Sequence, residues 1–406
     1  MKRKVLVMAS TFPRWKDDTI PPFVYELSKR LTDEFDISVL TPAYPNATDF
    51  EVMENMKVHR FHYFFKKYEK LAGSGGILPT IKKNKWFYFQ VPFFLLGEFI
   101  ALRKLIKETN PDIIHAHWIL PQGMIAYLNY KISRKKTEYV VTTWGADMFV
   151  FKKSNISSKF LRWIYGKILN NSLKSTTVNS AFEDEMKSIC ESKDKVIYIP
   201  NGVDTELFNP DKKDTGIKKK FSIDGQFILF VGRLTEKKGV HFLLEAMPEV
   251  VKKFPKVKLV IIGTGELESS LGEEIKRLNL KNNVILTGAI QNKLLPSFYA
   301  TSDIFVAPSI TTSQGDREGF PTVFGEAMAS STPIITTNID GIKEIIEIGK
   351  NGYVVDQKSS KELSERIIYL IQHKDKLNAI KKSSRNIAIH KYDWKVVGKQ
   401  YEEVLR

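Results

Sequence analysis

Cysteine is nearly absent from the sequence, because Cys190 is the single one among 406 residues. This excludes an intramolecular disulfide and a cysteine-based metal cluster, and it fits a reducing compartment. We therefore predict a cytoplasmic protein. The amphipathic surroundings of Cys190 indicate that its side chain packs against a core.

Long uninterrupted apolar runs are also lacking. The longest apolar stretch, residues 86–106, is broken by Gln90, Glu98, Arg103 and Lys104. A membrane-spanning helix needs about 20 predominantly apolar residues, so this stretch predicts no span. The run Val5–Ala9 is too short for the core of a signal peptide and is more typical of a buried first strand.

Acidic residues are too few to balance the basic ones. The chain has 62 Lys and Arg against 46 Asp and Glu, a net charge of +16. Residues 1–200 carry 31 of the basic and 20 of the acidic residues, so most of the excess lies in the first half. Nucleic acid, an anionic membrane surface or a phosphate-bearing ligand could each match this charge. Nucleic acid ranks last, because the charge is diffuse and no reading motif is present.

Short apolar runs alternate with amphipathic segments along the whole chain. Runs such as Ile113–Ala116, Phe227–Val231 and Lys258–Ile262 lack strict alternation, which predicts strands covered on both faces. Repeated β–α units predict right-handed crossovers and parallel sheets. Because the chain is too long for one ordinary core, we expect two doubly wound, Rossmann-like α/β domains.

The turn-rich segment Ile199–Pro210 marks the predicted boundary between the domains. We place one domain at residues 1–200 and the other at 201–390. A helix within residues 391–406 should return to the first domain, since Trp394 and Val397 would otherwise be exposed. Ligands of open parallel sheets bind at the carboxyl ends of strands, so a central cleft between the domains is the expected site.

Three loops after predicted strands of the second domain are rich in glycine or basic residues. In "GRLTEKKGV", Gly232 permits a tight turn, and Arg233 and Lys238 could clamp a diphosphate or could be two solvated cations. Glycines at the next strand end allow close approach of a nucleotide to the backbone, although a plain turn is the alternative. We assign to this backbone contact Gly263, Gly265 and, one strand further, Ile290.

The segment "REGFPTVFGEAMASSTP" carries two glutamates, Glu318 and Glu326, around a predicted helix start. A bent loop could bring both carboxylates to one ligand, and carboxylates accept hydrogen bonds from the paired hydroxyls of sugars and ribose. The alternative is a helix-capping acid plus a surface acid. The first-turn amides would carry partial positive charge toward the ligand. The residues we assign to this turn are Gly319, Phe320, Pro321, Thr322 and Val323.

Polar and aromatic residues end two predicted strands of the first domain. His115 and His117 lie in "PDIIHAHW", and Trp144 and Asp147 lie in "TTWGADMF". Histidine can act as a base or as a hydrogen-bond donor near neutral pH, so we assign these four residues to the acceptor side. A metal held by the two histidines and Asp147 is an alternative, but the spacing matches no dedicated zinc pattern.

Several segments together make the chain resemble the retaining family-4 glycosyltransferases, which have the GT-B fold. The resemblance covers nearly the whole chain, and its most specific element is the pair of glutamates eight residues apart. The segments that carry it are "NPDIIHAHW", "IPNGVDTELFNP", "FVGRLTEKKGV", "VIIGTGELESSL", "LLPSFYATSDIFVAPS" and "EGFPTVFGEAMASSTPII".

The resemblance implies a nucleotide-sugar donor on the second domain, a glycan or lipid-linked acceptor on the first, and no metal or other cofactor. It implies that Glu318 meets the donor sugar, Glu326 the ribose, and Arg233 and Lys238 the diphosphate. The expected catalytic set consists of Glu318, Arg233, Lys238 and His117.

Two departures from the family pattern leave other functions open. Trp144 stands where many relatives have a histidine, and Pro21 and Pro22 stand in a loop that is usually glycine-rich. Trp144 in place of histidine supports a non-catalytic subunit of the same fold as an alternative function. A non-hydrolysing nucleotide-sugar epimerase, which can share this fold, is the other alternative.

The segment Phe61–Phe94 interleaves lysines with Phe, Tyr and Trp. Such a composition suits an anionic lipid surface, and peripheral binding to the inner face of the membrane is one reading. The other reading is that these aromatic residues belong to the core.

Overall fold

The polypeptide divides into two α/β units. The computed structural model describes residues 2–15, 18, 23–72, 76–145, 147–148, 156–313, 315–316, 318 and 321–406. One unit comprises Met1–Pro200 with Val397–Arg406, and the other comprises Asn201–Val396. Each is built on a parallel sheet, which confirms the predicted pair of Rossmann-like domains.

The first unit contains an eight-stranded sheet in the order β3-β4-β2-β1-β5-β6-β7-β8, counted over the described residues. All neighbours are parallel except the edge strand β3, which runs antiparallel to β4. The strands are β1 (Arg3–Met8), β2 (Phe35–Pro42), β3 (Phe50–Met53), β4 (Met56–Phe61), β5 (Ile113–His117), β6 (Glu138–Thr143), β7 (Lys174–Thr177) and β8 (Val196–Tyr198). The helices are α1 (Phe23–Arg30), α2 (Ile77–Lys83), α3 (Val91–Thr109), α4 (Met124–Ile132), α5 (Ile156–Asn171) and α6 (Ser180–Lys187).

The second unit contains a six-stranded parallel sheet in the order β11-β10-β9-β12-β13-β14. Its strands are β9 (Phe227–Val231), β10 (Lys258–Ile262), β11 (Val284–Leu286), β12 (Ile304–Ala307), β13 (Ile334–Thr337) and β14 (Gly352–Val355). Its helices are α7 (Thr215–Lys220), α8 (Val240–Lys253), α9 (Glu268–Arg277), α10 (Leu295–Thr301), α11 (Thr322–Ala329), α12 (Ser360–Gln372) and α13 (Lys374–Ile387).

The central strands form where the sequence is continuously apolar. In β9 every residue is buried, and Ile228 pairs with Leu259 on one side and Ile304 on the other. The strand order reverses at β9 and β12, which makes their carboxyl ends the switch point of this sheet. The loop after β9 carries Arg233 and Lys238, and the loop after β12 leads into the segment with Glu318 and Glu326.

The C-terminal helix α14 (Trp394–Leu405) buries its apolar face, as expected. Trp394 covers Gly202 of the second unit, where an added Cβ would lie 2.3 Å from the indole. Val397 and Tyr401 are also buried, and the Tyr401 ring lies 5.8 Å from the His115 ring of the first unit. None of the helices in the described ranges is long and apolar enough to cross a membrane.

The predicted linker is anchored rather than loose. Val203 pairs with the chain before α14, donating to the Tyr392 carbonyl at 2.7 Å and accepting from the Trp394 amide at 3.1 Å. The Arg385 guanidinium donates through Nη1 to the carbonyls of Thr205, Phe208 and Ala329, at 2.9, 2.9 and 2.7 Å. One cation on α13 therefore ties the entry segment to the end of α11.

We expect Arg385→Ala to lower the free energy of unfolding by about 3 kcal/mol, because carbonyl groups lose a charged donor. Urea unfolding followed by circular dichroism measures the change. Lys382→Ala, at an exposed position of the same helix, is the matched control and should shift the stability by less than about 0.5 kcal/mol. Equal effects of the two substitutions would contradict this role of Arg385.

Candidate functional site

A compact ion cluster holds Glu318 after the loop that follows β12. Lys238 Nζ lies 3.2 Å from Glu318 Oε2, and Lys237 Nζ lies 3.8 Å from Oε1. The Glu318 side chain is 11% exposed. Lys238, predicted from its loop, and Glu318, predicted from its glutamate pair, are thus in direct contact.

Opposing effects set the charge state of Glu318. Burial raises the pKa of its carboxyl group, but Lys238 and Lys237, with a smaller contribution from Arg233, lower it further than burial raises it. The resulting pKa lies below the ordinary value, so Glu318 is a carboxylate at neutral pH. The lysines that stabilise this carboxylate could also bind a phosphate group.

Lys237 is the residue of this cluster that the sequence reasoning missed. Its ammonium group lies 3.2 Å from Asp316 Oδ1 and is only 17% exposed at the side chain. Its carbonyl accepts a hydrogen bond from Ile310, which fastens the lysine turn to the loop after β12. The adjacent pair of lysines was the available signal, but the sequence could not show that both would point to one acidic loop.

Arg233 is exposed, unlike the two lysines. Its charge still lowers the pKa of Glu318, although less than the two lysines do. Arg233 is thus the most accessible of the three cations Arg233, Lys237 and Lys238.

The glycines of the predicted nucleotide loops are required by packing of one loop on the other. A Cβ on Gly263 (φ +140°) would lie 1.9 Å from the Gly232 carbonyl, and one on Gly265 would lie 2.3 Å from the Leu234 carbonyl. Leu234 also exchanges hydrogen bonds with the second loop, donating to the Thr264 carbonyl and accepting from the Leu267 amide. Contact of these loops with a nucleotide remains a prediction.

Gly232 and Ile290 lie in less restricted surroundings. A Cβ on Gly232 would meet the Phe230 ring at 3.3 Å, which a small shift could accommodate. Ile290 is half-buried in the segment after β11, and the Gly288 carbonyl of this segment accepts from the Gly263 amide at 2.9 Å. The ends of β9, β10 and β11 are thus connected through their backbones.

The start of α11 presents free amides beside a second buried carboxyl group. Pro321 precedes the helix, and Thr322 and Val323 occupy its first turn, where amides have no partner within the helix. Gly319 and Phe320 lie outside the described residues.

Glu326, within α11, is the second carboxyl group. Burial raises its pKa to about 7, a shift that the Tyr299 hydroxyl and then Lys238 oppose. The Oε2 atom of Glu326 and the Tyr299 hydroxyl are both buried. Because Lys238 lowers the pKa of both Glu326 and Glu318, the two glutamates share one electrostatic environment.

The predicted acceptor-side residues form a second cluster, in the first unit. His115 and His117 are fully buried at the end of β5, with ring centroids 4.2 Å apart. Trp144, after β6, donates its indole N–H to His117 Nδ1 at 3.1 Å. Burial lowers the pKa of His115 to about 3, and burial together with His115 holds the pKa of His117 well below its usual range. Both histidines are therefore neutral.

Asp147 joins this cluster as a brace. Its Oδ2 accepts from the Ile119 amide at 2.7 Å, its Oδ1 accepts from the Thr143 hydroxyl, and its carbonyl accepts from Tyr165. Within the ranges that the structure covers, no three His, Cys, Asp or Glu side chains are placed to hold a metal ion, the two histidines and Asp147 included.

Two families match adjoining parts of the chain. Residues 22–207 match "Glycosyltransferase Family 4", and residues 212–387 match "Glycosyl transferases group 1". The spore coat protein SA of Bacillus subtilis is 33% identical over 402 residues, covering 95% of this chain and 93% of that protein. The chain therefore belongs to the family-4 type of GT-B glycosyltransferases, and its membership confirms the predicted class.

One further relative matches about half of the chain, and two solved structures share its fold. The GDP-mannose-dependent alpha-(1-6)-phosphatidylinositol monomannoside mannosyltransferase of Mycobacterium tuberculosis is 28% identical over 212 residues, which are 52% of this chain and 55% of that protein. Sucrose-phosphate synthase from Thermosynechococcus elongatus superimposes with a TM-score of 0.79 at 16% identity, covering 100% of this chain and 98% of the other. HepE of Anabaena, solved with UDP, gives 0.72 at 18% identity, covering 100% and 99%.

The raised pKa of Glu326 predicts a pH-dependent stability. Between the ordinary value of 4.5 and about 7 the folded protein holds a proton that the unfolded chain releases. Relative to Glu326→Gln, the wild type should therefore lose up to about 3 kcal/mol as pH rises through this window, and nothing further above it. Denaturant unfolding of both proteins at pH 4.5 to 8.5 measures this difference, and a constant difference would show that Glu326 does not titrate there.

Proposed function

We propose that the protein transfers a sugar from a nucleotide-sugar donor to a glycan or lipid-linked acceptor, with retention of anomeric configuration and without a metal. The observation that carries this proposal is the contact of Glu318 with Lys237 and Lys238 beside the start of α11. An acid for the sugar, cations for a diphosphate and helix amides occur together at the switch point of one sheet.

The chemistry assigns each group a task. The bond between the anomeric carbon and the diphosphate breaks, and the nucleoside diphosphate leaves with the bonding electrons. The acceptor hydroxyl forms the new bond from the same face, and its proton passes to a phosphate oxygen of the leaving group. Lys238 and Arg233 stabilise the departing diphosphate, Glu318 stabilises the positive charge that develops on the sugar, and Glu326 accepts hydrogen bonds from the ribose.

Fixed cations supply here what a divalent metal supplies in many phosphate-transfer sites. The Lys238 and Lys237 ammonium groups are held near one another by Glu318, at only 15% and 17% side-chain exposure. Little reorganisation would be needed when negative charge develops on the diphosphate. A reaction that does not respond to chelators follows from this arrangement.

Family membership favours glycosyl transfer over the alternative of a nucleotide-sugar epimerase. The non-catalytic alternative rested on Trp144 in place of histidine. The His117 imidazole beside Trp144 still offers a hydrogen-bonding group at that strand end, so the proposal does not need the missing histidine.

A thermal-shift panel of UDP-, GDP- and ADP-sugars should identify the donor, because a ligand that binds the folded state raises its apparent stability. The donor found should turn over slowly in the absence of acceptor, with release of free sugar that EDTA does not change. Epimer formation would favour the epimerase instead. Binding without turnover, even with acceptor extracts, would favour a non-catalytic subunit.

We expect Glu318→Gln to lower kcat at least a hundredfold while nucleotide affinity stays within about threefold, because the carboxylate acts on the developing charge. Single-turnover kinetics and calorimetric binding of the nucleoside diphosphate separate the two quantities. Glu249→Gln, exposed on α8, is the matched control and should behave as wild type. Unchanged turnover of the Glu318 variant would refute the assigned role.

We also propose that the first unit binds an anionic membrane peripherally, on its cytoplasmic face. Some aromatic residues of the segment Phe61–Phe94 belong to the core and others are exposed, so each reading of the sequence applies to part of the segment. Phe61, Tyr63 and Phe94 are buried in the core. The more exposed large side chains are Phe65, Tyr68, Trp86, Tyr88, Phe89 and Phe93.

The exposed apolar surface continues along three consecutive helices that contact one another in the order α3, α4, α5. On each helix the spacing is three or four, which places these side chains on one face. They are Phe93, Leu96 and Ile100 on α3, Leu128 and Ile132 on α4, and Phe160 and Trp163 on α5. We call this surface, together with the exposed aromatic residues of the preceding segment, the helix face.

Basic residues dominate the same part of the chain. Residues 63–171 carry 18 Lys and Arg against 6 Asp and Glu. Three of the six acids, Glu69, Glu98 and Asp147, are buried, so little negative charge reaches the surface there. A basic surface with protruding aromatic and aliphatic side chains fits anionic headgroups, where each cation contributes about 1 kcal/mol.

We expect the protein to float with vesicles containing anionic phospholipid at low salt, and not with neutral vesicles. Leu96→Ser combined with Ile100→Ser should weaken the binding several-fold, because apolar side chains no longer enter the headgroup region. Ile348→Ser, equally exposed in the second unit, is the matched control. Absence of flotation, or equal loss with the control, would end the membrane proposal, as would preferential binding to duplex nucleic acid.

A further inference from the structure

Trp144 and His117 form a hydrogen-bonded pair at the ends of two neighbouring parallel strands. His117 ends β5 and is paired in register with Thr142 of β6, and Trp144 follows β6 directly. The indole N–H donates to His117 Nδ1 at 3.1 Å, with the ring centroids 5.7 Å apart and the ring planes inclined by 25°. The pair lies at the carboxyl edge of the sheet, where ligands of such sheets bind.

The contact determines which nitrogen of His117 carries the proton. An indole nitrogen can only donate, so Nδ1 must be the accepting nitrogen. A neutral imidazole has one N–H, which must then lie on Nε2. Burial beside His115 keeps the His117 ring neutral, because a charge there would be neither hydrated nor paired.

The Nε2 atom that carries this proton has no acceptor within the described part of the chain. It is buried, and no hydrogen-bond partner for it occurs among the residues that the structure describes. His115 also has a buried ring nitrogen without such a partner, Nδ1. It differs in that its Nε2 lies 2.7 Å from the Thr142 hydroxyl, which can accept its N–H and lies 2.7 Å from the Thr176 hydroxyl. A core histidine that served packing alone would be expected to satisfy its N–H, since an unpaired buried donor is costly.

Packing holds the indole in place. The Phe23 ring contacts Trp144 at 4.5 Å and Trp118 at 6.1 Å. The orientation of Trp144 is thus set by an aromatic neighbour on one side and by His117 on the other. A histidine in place of Trp144 could present either nitrogen, whereas the indole presents only a donor.

We propose that Trp144 is a positioning residue that locks His117 as the Nε2–H tautomer, and that this N–H donates to a hydroxyl oxygen of the carbohydrate bound at the first unit. His117 then acts as a neutral hydrogen-bond donor and takes no proton in the reaction. The hydrogen bond to the carbohydrate, which we call the carbohydrate half of this inference, rests on the proposed function. The assignment of the Nε2–H tautomer, which we call the tautomer half, does not.

The tautomer half is tested by long-range nitrogen–proton correlation spectra of protein labelled with 15N in histidine. We expect the His117 signals of the Nε2–H form in the wild type, and their change toward a mixture of tautomers in Trp144→Phe, which keeps the ring but removes the N–H. Trp163→Phe, at an exposed tryptophan of α5, should leave the spectrum unchanged. An Nδ1–H signal in the wild type, or no change in Trp144→Phe, would overturn the inference.

The carbohydrate half is tested with two substitutions of His117. The amide nitrogen of Gln can reach the place of Nε2, whereas that of Asn reaches the place of Nδ1. We expect kcat/KM of His117→Gln to exceed that of His117→Asn by about tenfold, and Trp144→Phe to lose about tenfold, as for one oriented hydrogen bond. Equal loss in Gln and Asn would contradict the donor role. If no nucleotide-sugar is turned over by the wild type, the proposed function and this half fail together, while the spectra still decide the tautomer.

Discussion

The contact of one carboxylate with two lysines organises the end of the second sheet. Glu318 comes from the loop after β12, whereas Lys237 and Lys238 come from the loop after β9. Residues Glu236–Lys238 form a short 3-10 turn, and the hydrogen bond from the Ile310 amide to the Lys237 carbonyl joins the two loops. Opposite charges in a poorly hydrated place then hold the side chains together. A carboxylate alone would be costly there, and two ammonium groups side by side would repel. The attraction between the opposite charges offsets part of the free-energy cost of burying each of them.

The first unit solves a similar problem with neutral groups. His115, His117, Thr142 and Thr176 are all fully buried near the ends of adjacent strands, and no charge is left among them. Burying neutral hydrogen-bonding groups costs less hydration free energy than burying charged groups. The two units therefore differ in chemistry: charged side chains meet at the end of the second sheet, whereas neutral imidazole and hydroxyl groups meet at the end of the first.

Much of the fold could be predicted because the central strands are apolar without interruption. Phe227–Val231 and Lys258–Ile262 were predicted with the bounds that the structure gives, and Ile113–Ala116 lacks only the last residue of β5. The edge strand β3 was missed, because its residues are exposed or half-exposed and no apolar pattern marks it. For the site, the chemical types of the residues and the strand ends that carry them could be predicted from the sequence. It could not give Lys237 or Arg385, whose partners lie 79 and up to 180 residues away along the chain.

The glycines after β9 and β10 have one further consequence. Since the Gly232 and Leu234 carbonyls occupy the volume that side chains on Gly263 and Gly265 would need, neither loop can be redesigned independently of the other. Substitution of either glycine would displace the backbone of the neighbouring loop, so the two loops can change shape only together.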